Sequence, residues 1–213
     1  MKPGDQTFTI GIGGATGAGK SSLATQLMKQ LDLPIYHLCT DRYLRDFTNL
    51  PKTTTGLPEM DQPESFHLNE LAGHIRQLQR GEVTYLPIYD HHTHQRSPMS
   101  EGVNAPKVLI VEGIMALVDS ALRDLYHLKI AVETDARIRM IRRVQTDVNE
   151  RELFLDQIKR RLVESVIPAE EAWVLPANQF ADIRVTGSQS FAPIIEELRD
   201  HLTAFFGQAT VPE

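Results

Sequence analysis

One run of residues has the composition and spacing to hold a chain of phosphates. Gly14-Ala15-Thr16-Gly17-Ala18-Gly19-Lys20-Ser21 follows the order glycine, four free positions, glycine, lysine, then serine or threonine. Residues without a Cβ let successive backbone N–H groups curl around an anion, and a helix N-terminus behind them adds partial positive charge. The amides from Gly14 to Ser22 would line the cradle, Lys20 would reach the β- and γ-phosphates, and the Ser21 hydroxyl would coordinate Mg²⁺. The pattern predicts a site for a nucleoside triphosphate.

Two carboxylates stand at strand ends, where such chemistry needs them. Asp41 follows the strand-like run Ile35 to Cys39. It can accept a proton from a substrate hydroxyl or help to hold Mg²⁺, and as an alternative it caps the next segment. Glu112 ends the apolar run Val108 to Val111 and suits a metal-orienting role; the alternative is a carboxylate that simply sits at a strand-to-loop junction, where the apolar run makes an idle charge costly. Arg137, Arg139, Arg142, Arg143, Arg151, Lys159, Arg160 and Arg161 are eight of the 22 basic residues. Such arginines can fold over a triphosphate, yet Asp147, Glu150, Glu152 and Asp156 are interleaved, as on a solvated helix with paired charges. One or two functional arginines are expected, with the rest on the surface. His91, His92 and His94 fall in a loop or hairpin without a cysteine partner, which favours contact with a polar substrate over zinc. Tyr89 beside them either stacks on a ring or is a half-buried strand aromatic.

The elements that must position these groups alternate. Phe8 to Ile12 reads as a strand, and Leu23, Leu27 and Leu31 then mark one helix face. A loop from Asp46 to Pro63 precedes a helical stripe of Leu68, Leu71, Ile75 and Leu78, stopped by Gly81. Val83 to Ile88 and Thr93 to Met99 suggest a hairpin, and Val108 to Val111 a central strand covered on both faces. Leu128 to Val132 is a further strand, followed by a helix capped at Thr134-Asp135 and carrying Ile138, Ile141 and Val144. A last strand, Ile183 to Val185, leads to a closing helix marked by Ile194, Leu198, Leu202 and Phe205. This alternation predicts an α/β fold with a mostly parallel sheet, ligands lying beyond the carboxyl ends of its strands. Gly14 to Ser21, Asp41, Glu112 and Asp135 then share one edge.

A chain of 213 residues fits a single domain, and 41% hydrophobic with 23% charged residues is an ordinary globular balance. The net charge of −6 argues against a broad basic face for nucleic acid. A single cysteine, Cys39, excludes an internal disulfide. No apolar run is long enough to span a membrane, so a cytoplasmic location is expected.

The motifs together resemble the uridine kinase branch of the phosphoribulokinase/uridine kinase family of P-loop kinases, from about Thr9 to Ile183. The resemblance covers residues 13–22 and Thr40-Asp41-Arg42-Tyr43-Leu44-Arg45. It continues through Asp61-Gln62-Pro63-Glu64-Ser65-Phe66, Pro87-Ile88-Tyr89-Asp90, His94, Arg96, Val111-Glu112-Gly113-Ile114 and Thr134-Asp135-Ala136-Arg137, then Phe180 (in place of Tyr) before Ala181-Asp182-Ile183. It implies a three-layer α/β/α P-loop NTPase fold, with a small substrate-binding hairpin insert at about 42–100 and a helical lid at about 137–172. It also implies that ATP or GTP, with Mg²⁺, phosphorylates the 5′-hydroxyl of a pyrimidine nucleoside. Asp41 would be the base and share the metal with Ser21 and Glu112; Lys20 and Arg143 would be catalytic. Asp61 would hold ribose hydroxyls, and Tyr89 and His94 the pyrimidine, with Arg96 supporting that wall. The lid departs from the family pattern. Thr146 stands where an arginine is usual, and Glu152-Leu153 where a Gly-Arg pair is usual, so the acceptor stays open and Arg160 or Arg161 becomes a substitute. Another alcohol acceptor (a sugar, a pantothenate-like alcohol or a phosphopentose) is the close alternative. A nucleotide-binding protein with weakened catalysis is a further one. A GTPase switch would carry Asn-Lys-x-Asp and Asp-x-x-Gly, and neither string occurs. The partners implied are a small-molecule acceptor, no nucleic acid and no membrane; self-association is left open.

Overall fold

The computed structural model describes residues 6–149 and 154–207. In chain order its strands are β1 (Phe8–Gly13), β2 (Ile35–Cys39), β3 (Thr84–Asp90), β4 (Gln95–Val103), β5 (Val108–Glu112), β6 (Leu128–Glu133) and β7 (Ile183–Thr186). The helices are α1 (Lys20–Gln30), α2 (Leu68–Gln79), α3 (Ser120–Arg123), α4 (Ala136–Asn149), α5 (Leu155–Arg161), α6 (Ile167–Ala169), α7 (Leu175–Ala177) and α8 (Ala192–Gly207). Five strands form one sheet in the order β2-β5-β1-β6-β7, every pairing parallel. Strands β3 and β4 form a separate antiparallel hairpin.

Parallel strands buried on both faces must be apolar throughout, and β5 is buried at all five positions. Ile10 and Ile12 of β1 pack with Val108, Ile110 and Ile130 against Leu23 and Leu27 of α1 and Ile194 and Leu198 of α8. The opposite face gathers Leu38, Leu109, Val111 and Ala131 against Leu71, Ile75 and Leu78 of α2, with Leu117, Leu122 and Tyr126. On that side β1 carries Gly11 and Gly13, because a Cβ at either would collide with the Tyr126 ring or the Leu117 side chain. The result is the three-layer α/β/α architecture of P-loop NTPases. No described helix is long and apolar enough to cross a membrane.

The hairpin is longer and shifted relative to the sequence expectation. Its strands close at residues 91–94, and pairing slips between Pro87 and Tyr89, where proline has no N–H to donate. The Pro87 carbonyl is taken instead by Arg42 Nε (2.8 Å), whose other nitrogens reach Tyr36 and Glu101, tying the hairpin to β2.

Helix α4 corrects the apolar stripe expected from Ile138, Ile141 and Val144. Ile138 and Ile141 are exposed, while Arg139, Arg143 and Asp147 are buried. Backbone groups of the glycine-rich loop need partners on that side, so the helix turns its polar face inward. Beyond residue 153 the chain is helical through 177 with two π-helical stretches, Leu162–Val166 and Glu170–Val174. Each is followed within two residues by a proline, Pro168 or Pro176. A proline cannot donate and its ring crowds the carbonyl four residues back; widening the preceding turn relieves both.

The sheet is the rigid part on which everything else rests. Truncating its fully buried centre, Ile110→Ala, is expected to cost about 3 kcal/mol of unfolding free energy in a urea titration.

Candidate active site

The glycine-rich loop leaves β1 and enters α1 at the carboxyl edge of the sheet. Gly14 (φ 138°), Gly17 (φ 70°) and Gly19 (φ 106°) lie in the left-handed region that favours glycine. A side chain at Gly14 would strike the Val132 carbonyl, and one at Gly17 would approach the Arg139 carbonyl to 2.5 Å. The loop is therefore threaded between β6 and α4 as bare backbone, with Ala15 and Ala18 buried beneath it. It presents amides at the N-terminus of α1, a cradle that fits a polyphosphate.

Lys20, only 8% exposed, donates to the Ala15 carbonyl (3.0 Å), so its ammonium lies folded across the loop. Burial lowers its pKa below the ordinary value, with the charges of Glu112 and Asp41 pulling the other way. Ser21 Oγ donates to Glu112 Oε1 (3.0 Å), and His37 Nε2 lies 3.4 Å from the same oxygen. Burial pushes the Glu112 carboxyl up, but His37, Lys20 and Ser21 outweigh it and hold the group below its ordinary value. A hydroxyl and an ionised carboxylate in contact are hard oxygen donors of the type Mg²⁺ takes, the remaining positions falling to phosphate and water. Among the described residues no group of three or more His, Cys, Asp or Glu side chains could hold a metal ion. His91 and His92 are exposed in the hairpin turn, where the His92 amide donates to Asp90.

Asp41 sits in a 3₁₀ turn, Thr40–Tyr43, directly after β2, and its charge acts on Lys20, Tyr89 and Arg143. Arg143 donates through Nε to Asp147 (2.8 Å) and through Nη1 to Thr16 Oγ1 (3.1 Å). Burial lowers the pKa of its guanidinium, but Asp61, Asp147 and Asp41 more than compensate. Asp61, itself 8% exposed, thus acts on the same guanidinium as Asp41.

The opposite wall comes from the hairpin. Tyr89 packs with Ala15, Leu44, Phe66, Met115 and Val174, and its buried hydroxyl has no hydrogen-bond partner. Burial, with Asp46 and Asp41 nearby, pushes that phenol up to about 12. His94 adopts φ 53°, the one left-handed non-glycine among the described residues, and stacks on Phe47 with ring centroids 5.6 Å apart. Arg96 forms a two-pronged pair with Glu70 (2.8 and 2.9 Å) while its amide donates to Asp46.

Residues expected only to line the surface also enter the site. Arg142 donates to the carbonyls of Gly17 (3.1 Å) and Gly187 (3.4 Å), linking the loop to the segment after β7. Arg139 and Glu170 form a buried pair (2.7 Å), and Glu170 also accepts from the Thr16 amide. The spacing of Arg139 and Arg143 on one helix face was a usable signal; Glu170 offered none. Arg160 turns outward to Glu164 and the Thr55 carbonyl, whereas Arg161 reaches Met60 Sδ (2.9 Å), next to Asp61. Thr146 is half-buried on α4, while Arg151, Glu152 and Leu153 lie outside the described residues.

A family model described as "Phosphoribulokinase / Uridine kinase family" matches residues 9–190. A uridine kinase of Geobacillus sp. (strain WCH70) is 36% identical over 181 residues, covering 84% of this chain and 86% of the relative. The chloroplastic uridine/cytidine kinase UKL1 of Arabidopsis thaliana is 32% identical over 205 residues, 95% of this chain; the chain spans 42% of that relative's length. In fold, the phosphoribulokinase of Rhodobacter spheroides is similar with a TM-score of 0.62 at 14% identity, over 87% of this chain and 74% of that structure. A phosphate cradle, an oxygen-donor pair and a polar cleft facing them thus coincide with a match over most of the sequence, and the chain belongs to the phosphoribulokinase/uridine kinase family of phosphotransferases that act on an alcohol acceptor.

Proposed function

We propose that this chain is a cytoplasmic kinase that transfers the γ-phosphoryl group of ATP or GTP to the 5′-hydroxyl of a pyrimidine nucleoside. The observation that carries the acceptor reading is the buried Tyr89 hydroxyl, left without a partner in a wall that also holds His94 and faces Asp41 and Asp61. A buried phenol costs free energy unless something pairs with it, and a polar ring in the cleft would supply that partner. The left-handed backbone of His94 fits the same role, since strain of this kind collects at ligand clamps. The uridine kinase relatives support a pyrimidine as that ring.

In this reading residues 1–213 form one kinase domain, with an acceptor insert at about 42–100 and a lid at about 137–172. Gly14, Ala15, Thr16, Gly17, Ala18, Gly19, Lys20, Ser21 and Ser22 form the loop that receives the triphosphate, although the Thr16 amide, expected to line the cradle, is taken by Glu170 and supports the loop instead; the segment Thr186 to Ser188, held against the loop by Arg142, borders the base. Mg²⁺, held by Ser21 and Glu112 with Asp41 nearby, would neutralise charge on the β- and γ-oxygens when bound with the nucleotide. Asp41 accepts the proton of the acceptor hydroxyl as its oxygen bonds to the γ-phosphorus and the bond to the β-bridging oxygen breaks. Lys20 and Arg143 stabilise charge on the transferring group. Asp61 orients ribose hydroxyls. Arg161, which reaches Met60 beside Asp61 in the chain, stands in for a lid arginine.

Lys20→Ala is expected to weaken binding of Mg·ATP by more than about a hundredfold, read by calorimetry. Asp41→Asn should leave that binding near normal and cut uridine phosphorylation by roughly a hundredfold or more; near-normal turnover would remove Asp41 from the role of base. His94→Ala should raise the uridine KM about tenfold while the ATP KM stays put. Equal rises in both, or faster ADP release with a sugar or phosphopentose than with uridine in the wild type, would overturn the nucleoside assignment.

A further inference from the structure

Thr16 lies in the phosphate loop between Gly14 and Gly17, both in left-handed conformations. Three of its atoms are held by residues outside the loop. Its amide donates to Glu170 Oε1 (2.7 Å), its carbonyl accepts from Arg139 Nη1 (3.3 Å), and its hydroxyl accepts from Arg143 Nη1 (3.1 Å). The second Glu170 oxygen accepts from Arg139 at 2.7 Å, so one carboxylate bridges a loop amide and a cation of α4. Both members of the pair are buried, Glu170 at 4% and Arg139 at 6% exposure.

A carboxylate kept this far from water needs full pairing, and its two oxygens are taken by the loop and by the helix packed on the loop. Glycine-flanked backbone carries the largest conformational entropy to lose on binding. Tying it at Thr16 beforehand removes part of that cost from the binding step. The bond also spans 154 positions of sequence, joining the loop to the helical segment that ends near β7.

We infer that Glu170 is a positioning residue that sets the shape of the phosphate-binding loop before nucleotide arrives: seated on the Thr16 amide and neutralised by Arg139, its carboxylate fixes the loop as a cradle. This rests on the reading of the loop as a nucleoside triphosphate site. Glu170 does not touch the phosphates; it acts through Thr16. Arg139 is the counter-charge that lets it be buried.

The test starts from wild-type protein without nucleotide, using NMR-detected amide hydrogen exchange. The Thr16 amide is expected to exchange slowly in the absence of ligand; fast exchange there, with neighbouring sheet amides protected, would overturn the proposal. Two variants follow. The double change Glu170→Met with Arg139→Met removes both charges together while filling the volume, so no lone buried ion remains to unfold the protein. Its Kd for Mg·ATP is expected to rise about tenfold while the uridine KM changes less than about twofold. Glu170→Gln, which retains an oxygen for the Thr16 amide, should recover part of that loss. Wild-type affinity for Mg·ATP in both variants, or equal losses toward ATP and uridine, would overturn the assignment. A wild type that fails to bind Mg·ATP would instead bring down the nucleotide reading and this role with it. The two failures are thus told apart by which protein shows them.

Discussion

The architecture depends on bare backbone being able to pass where no side chain fits. Between β6 and α4 the loop runs so close that the Val132 and Arg139 carbonyls occupy the space a Cβ would need at Gly14 and Gly17. That closeness aims successive amides at one point and brings the start of α1 to the same place. It also brings a problem. Backbone packed this tightly loses its water, and its carbonyls and amides must find partners in protein. Helix α4 answers with Arg139, Arg142 and Arg143, which donate to Thr16, Gly17 and Gly187.

The cost of burying those arginines then shapes the rest of the cleft. Arg139 is neutralised by Glu170, and Arg143 by Asp147 with Asp61 and Asp41 beyond it. Charge therefore alternates across the site, from Glu112 through Lys20 and Asp41 to Arg143 and Asp61. In the partly desolvated cleft these charges act on one another. Glu112 stays ionised despite burial because His37, Lys20 and Ser21 favour its charged form.

Most of the framework was legible in the sequence, and the reasons are local. Strand β5 announces itself because a parallel strand buried on both faces must be a continuous apolar run. The phosphate loop is legible because its conformation requires glycine at particular positions. Helix α2 shows the expected stripe of Leu71, Ile75 and Leu78. Helix α4 misleads for a physical reason: hydrophobic periodicity marks the buried face only where the neighbour is apolar, and its neighbour is a polar backbone. The Glu170 contact was invisible because it depends on distance through space, not on spacing, and on the phase of a helix whose turns are not uniform. The separation of Arg160 from Arg161 had the same cause, since adjacent residues on a helix point about 100° apart and only the packed structure decides which faces inward.

The two widened turns before Pro168 and Pro176 have a further consequence. A π-helical turn holds an extra residue compared with an α-helical one, so it resets the angular phase of everything downstream. Winding residues 162–166 as a regular α-helix, with no residue removed, would swing the following carboxylate by about 100° around the axis, away from the loop. The extra residue of the widened turn therefore acts as a phase adjuster, turning the start of the next stretch, Glu170, onto the loop.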